Sequence, residues 1–197
     1  MCGRFTLTRT DLREVAELLG AAVSAEEATT HRPRYNVAPS QEAWLVVEDG
    51  GGRRLTRGRW GYPPPFGPRH DDPVGLINAR AETVAEKPTF RGALAGGRCA
   101  VVADGFFEWT GAKGHRRPLW FHAPGGEVLL FAALAREVAD GASGEIERRF
   151  AVLTTAANRL VAPIHDRMPA VLPVGALGRW RAPAPAVRAA AAVAALG

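Results

Sequence analysis

The chain has 197 residues, 47% hydrophobic and 23% charged, which suits one soluble domain with a sizeable core and excludes disorder, collagen and coiled coil as descriptions of the whole. Lys and Arg outnumber Asp and Glu 25 to 20, and only Lys87 and Lys113 are lysines, so 23 cations are arginine. That excess fits either a surface for phosphate and bases or the codon bias of a genome rich in Ala, Gly and Pro.

No apolar run reaches the roughly 20 residues of a membrane helix, so no membrane association is expected. The opening stretch Met1-Cys2-Gly3-Arg4-Phe5-Thr6-Leu7-Thr8-Arg9-Thr10-Asp11 lacks the apolar core of a secretory signal. Two cysteines, Cys2 and Cys99, make a poor disulfide framework, which points to a reducing cytoplasm.

In chain order, Thr10 or Asp11 can cap a helix to Leu19, with Leu12, Val15, Leu18 and Leu19 at helical spacing and Gly20 as its stop. Polar, Pro-containing sequence comes next. Residues 44–47 and 55–60 read as strands joined by the turn Asp49-Gly50-Gly51-Gly52. Residues 63–73, rich in Pro and Gly, read as a surface excursion rather than a linker. Short apolar strands are predicted at 99–102, 106–109, 119–122, 128–133 and 150–155. A helical turn is expected at 158–161, and an Ala-rich helix, interrupted by Pro183 and Pro185, at 179–197. Many short strands and few helices predict a single α+β domain, 1–197, with a mainly antiparallel β core.

Four places carry chemistry. A small residue at position 2 normally lets the initiator Met be removed, which would give Cys2 a thiol beside a free α-amine. Such an aminothiol condenses with an aldehyde and closes to a thiazolidine. It can also act as an N-terminal nucleophile on an amide, or be an incidental buried cysteine. In Asn78-Ala79-Arg80-Ala81-Glu82 an extended backbone would put amide, guanidinium and carboxylate on one face; the alternative is a solvated ion pair. Glu108 lies among apolar residues in Gly105-Phe106-Phe107-Glu108-Trp109, suiting either a general acid or a carboxylate paired for structure. His165, next to Asp166 and Arg167, could move protons near neutral pH or be a satisfied structural histidine. The other histidines show no metal-like spacing, and CxxC, HExxH and P-loop patterns are missing, so no metal or organic cofactor is expected.

Together these blocks resemble the SOS-response-associated peptidase (SRAP) family, whose domain covalently captures abasic sites in single-stranded DNA. The match runs through Met1-Cys2-Gly3-Arg4-Phe5, Tyr35-Asn36-Val37-Ala38-Pro39, Trp60-Gly61, Asn78-Ala79-Arg80-Ala81-Glu82-Thr83, Arg98-Cys99 with 105–109, and Thr154-Thr155 to Ile164-His165-Asp166-Arg167-Met168-Pro169, over about residues 2–173. The resemblance implies a barrel-like core with peripheral helices and a basic groove. It implies that Cys2 joins the DNA, Asn78 orients amine and sugar, Glu108 assists proton transfer at the amine, and His165 helps open the sugar ring. Arg4 and Arg80 would hold phosphates. Trp60 or Phe90 are the aromatics expected to stack on bases. The partner would be single-stranded DNA carrying an abasic site, the protein a monomer, and a cysteine-type peptidase or a non-covalent binding module the rival readings. After Trp60-Gly61 the segment Tyr62-Pro63-Pro64-Pro65-Phe66 departs from the family pattern, and Phe107 stands where a Tyr is usual.

Overall fold

The computed structural model describes residues 2–63, 74–112, 114–139 and 144–181. The expected excursion therefore lies mostly outside the described residues, and so does most of the Ala-rich tail. In chain order the elements are β1 (Phe5–Leu7), α1 (Leu12–Leu19), α2 (Ala25–Thr30), β2 (Arg34–Val37), β3 (Glu42–Asp49), β4 (Gly52–Trp60), β5 (Asn78–Arg80), α3 (Pro88–Gly96), β6 (Arg98–Ala103), β7 (Gly105–Thr110), β8 (Arg117–His122), β9 (Leu129–Ala139), β10 (Ile146–Ala156), β11 (Arg167–Pro169), β12 (Val171–Leu172) and α4 (Leu177–Arg181).

Five strands close on themselves. β3 pairs with β4 and β6, β6 with β9, β9 with β10, and β10 returns to β4 in the one parallel contact of the ring. Closure leaves each strand one inner and one outer face, and the side chains alternate between them. Leu45, Val101, Phe131, Ala133, Phe150 and Val152 fall in one buried cluster. Their neighbours Val46, Ala100, Val102, Leu130, Ala132, Ala151 and Leu153 fall in another, together with Leu12, Leu19, Phe90, Leu94 and Trp180 from the helices. A five-stranded ring has no room for a helix, so the cluster without helical side chains is the interior. β6 is buried along its whole length, and from Cys99 to Ala103 it is apolar on both faces.

A second sheet, ordered β2-β1-β7-β8, sits across one end of this barrel. Phe5 and Phe106 reach from it into the interior cluster, and Phe5 packs 5.1 Å from Trp60 and 6.1 Å from Phe131. Asp104 joins the two sheets between β6 and β7. Its backbone N–H donates to the Thr6 carbonyl, 2.9 Å, and its carboxylate accepts from the Thr6 hydroxyl, the Thr8 amide and the Thr8 hydroxyl. The carboxylate thus pins the N-terminal strand to the barrel rim.

α1 follows the expected stripe at Leu12, Val15 and Leu19, but Leu18 is 52% exposed and lies off it. Asp11 caps the start by accepting from the Arg13 amide, and Gly20 (φ 58°) supplies the left-handed stop. Two helices escaped the periodicity reading. α2 buries no residue, so it has no apolar stripe; its only signal is the capping box of Ser24 and Glu27. α3 does carry a stripe, Phe90, Ala93 and Leu94, behind Pro88 at its first position.

Candidate active site

The chain before β1 continues alongside β7, with the Phe107 amide donating to the Arg4 carbonyl, 2.9 Å. The register that sets Phe5 opposite Phe106, carried on, places Gly3 opposite Glu108 and Cys2 beside it. Cys2 is fully buried at the end of the barrel interior, packed in the cluster that holds Phe5 and Val152. Its Sγ points to the Arg4 carbonyl at 3.8 Å.

Asn78 arrives from the other side. β5 pairs in parallel with β10, Asn78 opposite Val152, which brings the amide to the same barrel end. Asn78 Nδ2 donates to the Cys2 carbonyl, 2.9 Å, and this acceptor fixes which atom of the amide is nitrogen. Asn78 Oδ1 is buried and has no hydrogen-bond donor among the described residues. A buried acceptor left open this way costs stability unless something else fills it.

Glu108 is 3% exposed, as its apolar surroundings in the sequence suggest. Burial, and after it the Glu108 carboxylate, push the Cys2 thiol up to about 12. A peptidase thiolate needs the opposite, a cationic neighbour that lowers the thiol pKa.

The third arm is the segment after β10. Asn158 Oδ1 accepts from the amides of Leu160 and Val161 and winds the chain into the expected helical turn, which delivers His165. His165 Nδ1 lies 2.9 Å from the Arg167 amide and 3.0 Å from Asp166 Oδ1. The amide can only donate, so the neutral ring accepts there and carries its proton on Nε2; Asp166 is solvent-exposed and does not set the tautomer.

Arg167 locks this arm to β5. Its two terminal nitrogens donate to both Glu82 oxygens at 2.7 and 2.8 Å, and Nη2 also reaches the Thr154 carbonyl at 2.6 Å. Glu82 therefore belongs to the site's scaffold. It lies just past β5, in a turn, so the extended reading holds for Asn78 and Arg80 only. The hydrogen bonds from Arg167 hold the Glu82 carboxyl below its usual range. A depressed carboxyl pKa stabilises the fold fully above the unfolded value, about 4.3, and the contribution is lost as pH falls through the lower folded value. Thermal melts of wild type and Glu82→Gln are expected to differ at pH 7 and converge near pH 3. A gap that stays constant with pH would mean the pair contributes nothing through its charge.

The same order of blocks and the same fold recur in known proteins. The family model for SOS response associated peptidase (SRAP) matches residues 1–196. The chain belongs to the SRAP family. It is 38% identical over 175 residues to abasic site processing protein YoqW of Bacillus subtilis, covering 87% of this chain and 76% of that one. It is 33% identical over 185 residues to abasic site processing protein YedK of Escherichia coli, covering 91% and 79%. A crystal structure of a protein from Bacteroides thetaiotaomicron superposes with a TM-score of 0.84 at 24% identity, over 99% of this chain and 86% of that one.

In this SRAP domain three of the expected site residues come together, Asn78 on the Cys2 carbonyl and the Glu108 carboxylate beside the Cys2 thiol, while His165 stands on the segment that Arg167 ties to Glu82 just past β5. Arg4 is half-buried, its Nη1 donating to Asn36 Oδ1 at 3.0 Å, and Arg80 is exposed at the end of β5. The two aromatics expected to stack on bases do not: Trp60 is 0% and Phe90 6% exposed. Trp60 donates from Nε1 to the Ile77 carbonyl, 2.8 Å, and lies parallel to Phe150; Phe90 packs on Tyr62 at 5.1 Å. Neither ring has a face for a base. Trp60 acts instead on the backbone one residue before Asn78. Two residues escaped the sequence reading. Asp104 shows itself only as an acid between Val102-Ala103 and Gly105, and Arg167 only as a cation beside His165.

Proposed function

We propose that this chain, once Met1 is removed, captures abasic sites in single-stranded DNA as a covalent thiazolidine at Cys2. The observation that carries the reading is the second residue itself, buried beside a carboxylate with its carbonyl held by Asn78. A chain terminus is seldom so held unless tied down. The relatives' role as abasic site processing proteins supports the same reading.

The chemistry balances without a cofactor. An abasic deoxyribose is mostly a closed hemiacetal, so the reaction begins by opening it. The C1′–O4′ bond breaks as the ring oxygen takes the proton from His165 Nε2, and the proton lost by the C1′ hydroxyl returns through solvent to the imidazole, leaving an open aldehyde and a free 4′ hydroxyl with His165 unchanged. The Cys2 amine attacks C1′; a C–N bond forms and the carbonyl oxygen leaves as water, giving an imine. Cys2 S–H then adds across C=N, the S–C1′ bond forms, and the proton ends on nitrogen. One water is lost overall and nothing is oxidised. In this reading the open Asn78 Oδ1 accepts from the new α-amine, and Glu108 takes its proton. Holding amine and aldehyde together contributes about 7–11 kcal/mol in well-oriented cases.

Arg80, with Arg4, supplies phosphate contacts. The imine stage also offers a route to strand cleavage by β-elimination, a lyase side activity. The raised thiol argues against general peptidase action, although removal of Met1 by the protein itself is part of the proposal. A monomeric state and a cytoplasmic setting belong to it as well.

The test is direct. Purified protein lacking Met1 by mass is mixed with an oligonucleotide carrying one abasic site, denatured, and run on a gel. A shifted band is expected. Its absence, or full crosslinking by protein that retains Met1, overturns the aminothiol reading.

A further inference from the structure

With Trp60 and Phe90 buried, the bases need another stacking surface, and the outer face of the small sheet offers one. Alternation along β7 turns Phe106 and Glu108 inward, so Phe107 and Trp109 face out. Phe107 is opposite Trp120 on β8, and its amide donates to the Arg4 carbonyl, so the segment before β1, β7 and β8 bring Arg4, Phe107 and Trp120 into one row.

Trp120 is 44% exposed, yet it is not loose. Its Nε1 donates to the Thr6 hydroxyl, 3.1 Å, and its ring stacks on His122 at 4.1 Å. The indole edge lies where a Cβ on Gly105 would sit, 2.2 Å from Nε1, so only glycine lets the ring lie down there. A large aromatic held in one orientation and left open to solvent is a preorganised contact, because its ordering cost is met in the free protein.

Charge decides the occupant. The run His115-Arg116-Arg117-Pro118-Leu119-Trp120-Phe121-His122 has two arginines, two histidines and no acid, and Arg116, Arg117 and His122 are exposed. β8 is also an edge strand, paired among the described residues only with β7. Pro118 removes a backbone donor, and the two arginines stand directly before it. Both devices discourage another strand from pairing. Cations interleaved with flat rings suit a phosphate backbone whose bases stack.

We propose that Trp120, with Arg116, forms a platform for the single strand flanking the captured site: a base stacks on the indole while Arg116, which the register puts on the same face, contacts a phosphate. The proposal rests on the capture reading for its biological setting, but its test does not need an abasic site.

Intact (dT)12 is titrated into the full chain while tryptophan emission is followed. Trp44, Trp60 and Trp180 are buried, so quenching reports on Trp109 and Trp120. Trp120→Leu is expected to weaken (dT)12 binding roughly 5- to 100-fold, the range for one stacked base, and Trp120→Phe to recover most of it. Replacing Arg116 with Ala is expected to flatten the log–log salt slope by about 0.7, the value of one phosphate contact. If Trp120→Leu fails to fold, this exposed Arg116 substitution decides alone. Unchanged affinity and salt slope in these variants overturn the platform even where the wild type crosslinks abasic DNA. A wild type that never crosslinks, while Trp120→Leu loses (dT)12, overturns capture and leaves the platform standing.

Discussion

Cys2→Ala is expected to abolish the denaturation-stable link to abasic DNA, because the thiol is what closes the ring. The variant keeps an α-amine, so an imine still forms. Some borohydride-trappable adduct or strand nicking should remain. His165→Ala and Glu108→Gln are different in kind: each removes a proton carrier, not a bonding atom. General acid–base groups contribute about 10²–10⁴-fold in rate, so both should slow the link while leaving its final yield intact. Glu108→Gln also takes away the carboxylate that disfavours the thiolate, so the Cys2 thiol pKa should fall from about 12, readable with a thiol-reactive probe across alkaline pH. A normal yield of stable adduct from Cys2→Ala without borohydride would move the nucleophile elsewhere, with Lys87 and Cys99 next to test.

The largest loss of stability is expected from Trp60→Ala. The ring is fully buried, packs between Phe5 and Phe150, and holds the Ile77 carbonyl. Truncating a core aromatic costs about 3–5 kcal/mol, because the cavity collapses only in part. In a domain of this size that lowers Tm by about 6–20 °C. Trp60→Phe separates packing from positioning. It keeps most of the ring but frees Ile77, so Tm should fall less while crosslinking slows, since Asn78 comes directly after Ile77. A Trp60→Phe protein that crosslinks at the wild-type rate would show that the indole N–H has no part in placing Asn78. If Trp60→Ala melts like wild type, Trp60 does not fill the barrel interior.

The candidate residues of the site stand out in the sequence more than the packing around them does. Cys2, Asn78, Glu108 and His165 are polar residues in unusual company, and a linear sequence shows company well. Burial is harder to read. Trp60 and Phe90 look, as letters, like any aromatic that a base could meet; only ring closure by β10 onto β4 encloses Trp60, and only the packing of α3 covers Phe90. The helix α1 was readable because its buried positions repeat, whereas α2 buries nothing and leaves only a cap. β1, β2 and β5 are too short for a pattern to develop over three or four residues. Glu82 and Arg167, 85 residues apart, gave no sign of their pairing, because nothing local requires it.

β6 has neighbours on both edges, β3 and β9, and cores against both faces. At Ala100 and Val101 it is paired on both sides at once. Its amides can meet solvent deuterium only when the whole ring comes apart, so their exchange reads out the global unfolding free energy. β8, with no strand on its outer edge among the described residues and an exposed face, is expected to exchange through small local openings. The molecule therefore joins a strand enclosed in the barrel wall to one on the edge of the small sheet through Asp104 and β7, and Glu108 sits on the strand between the two.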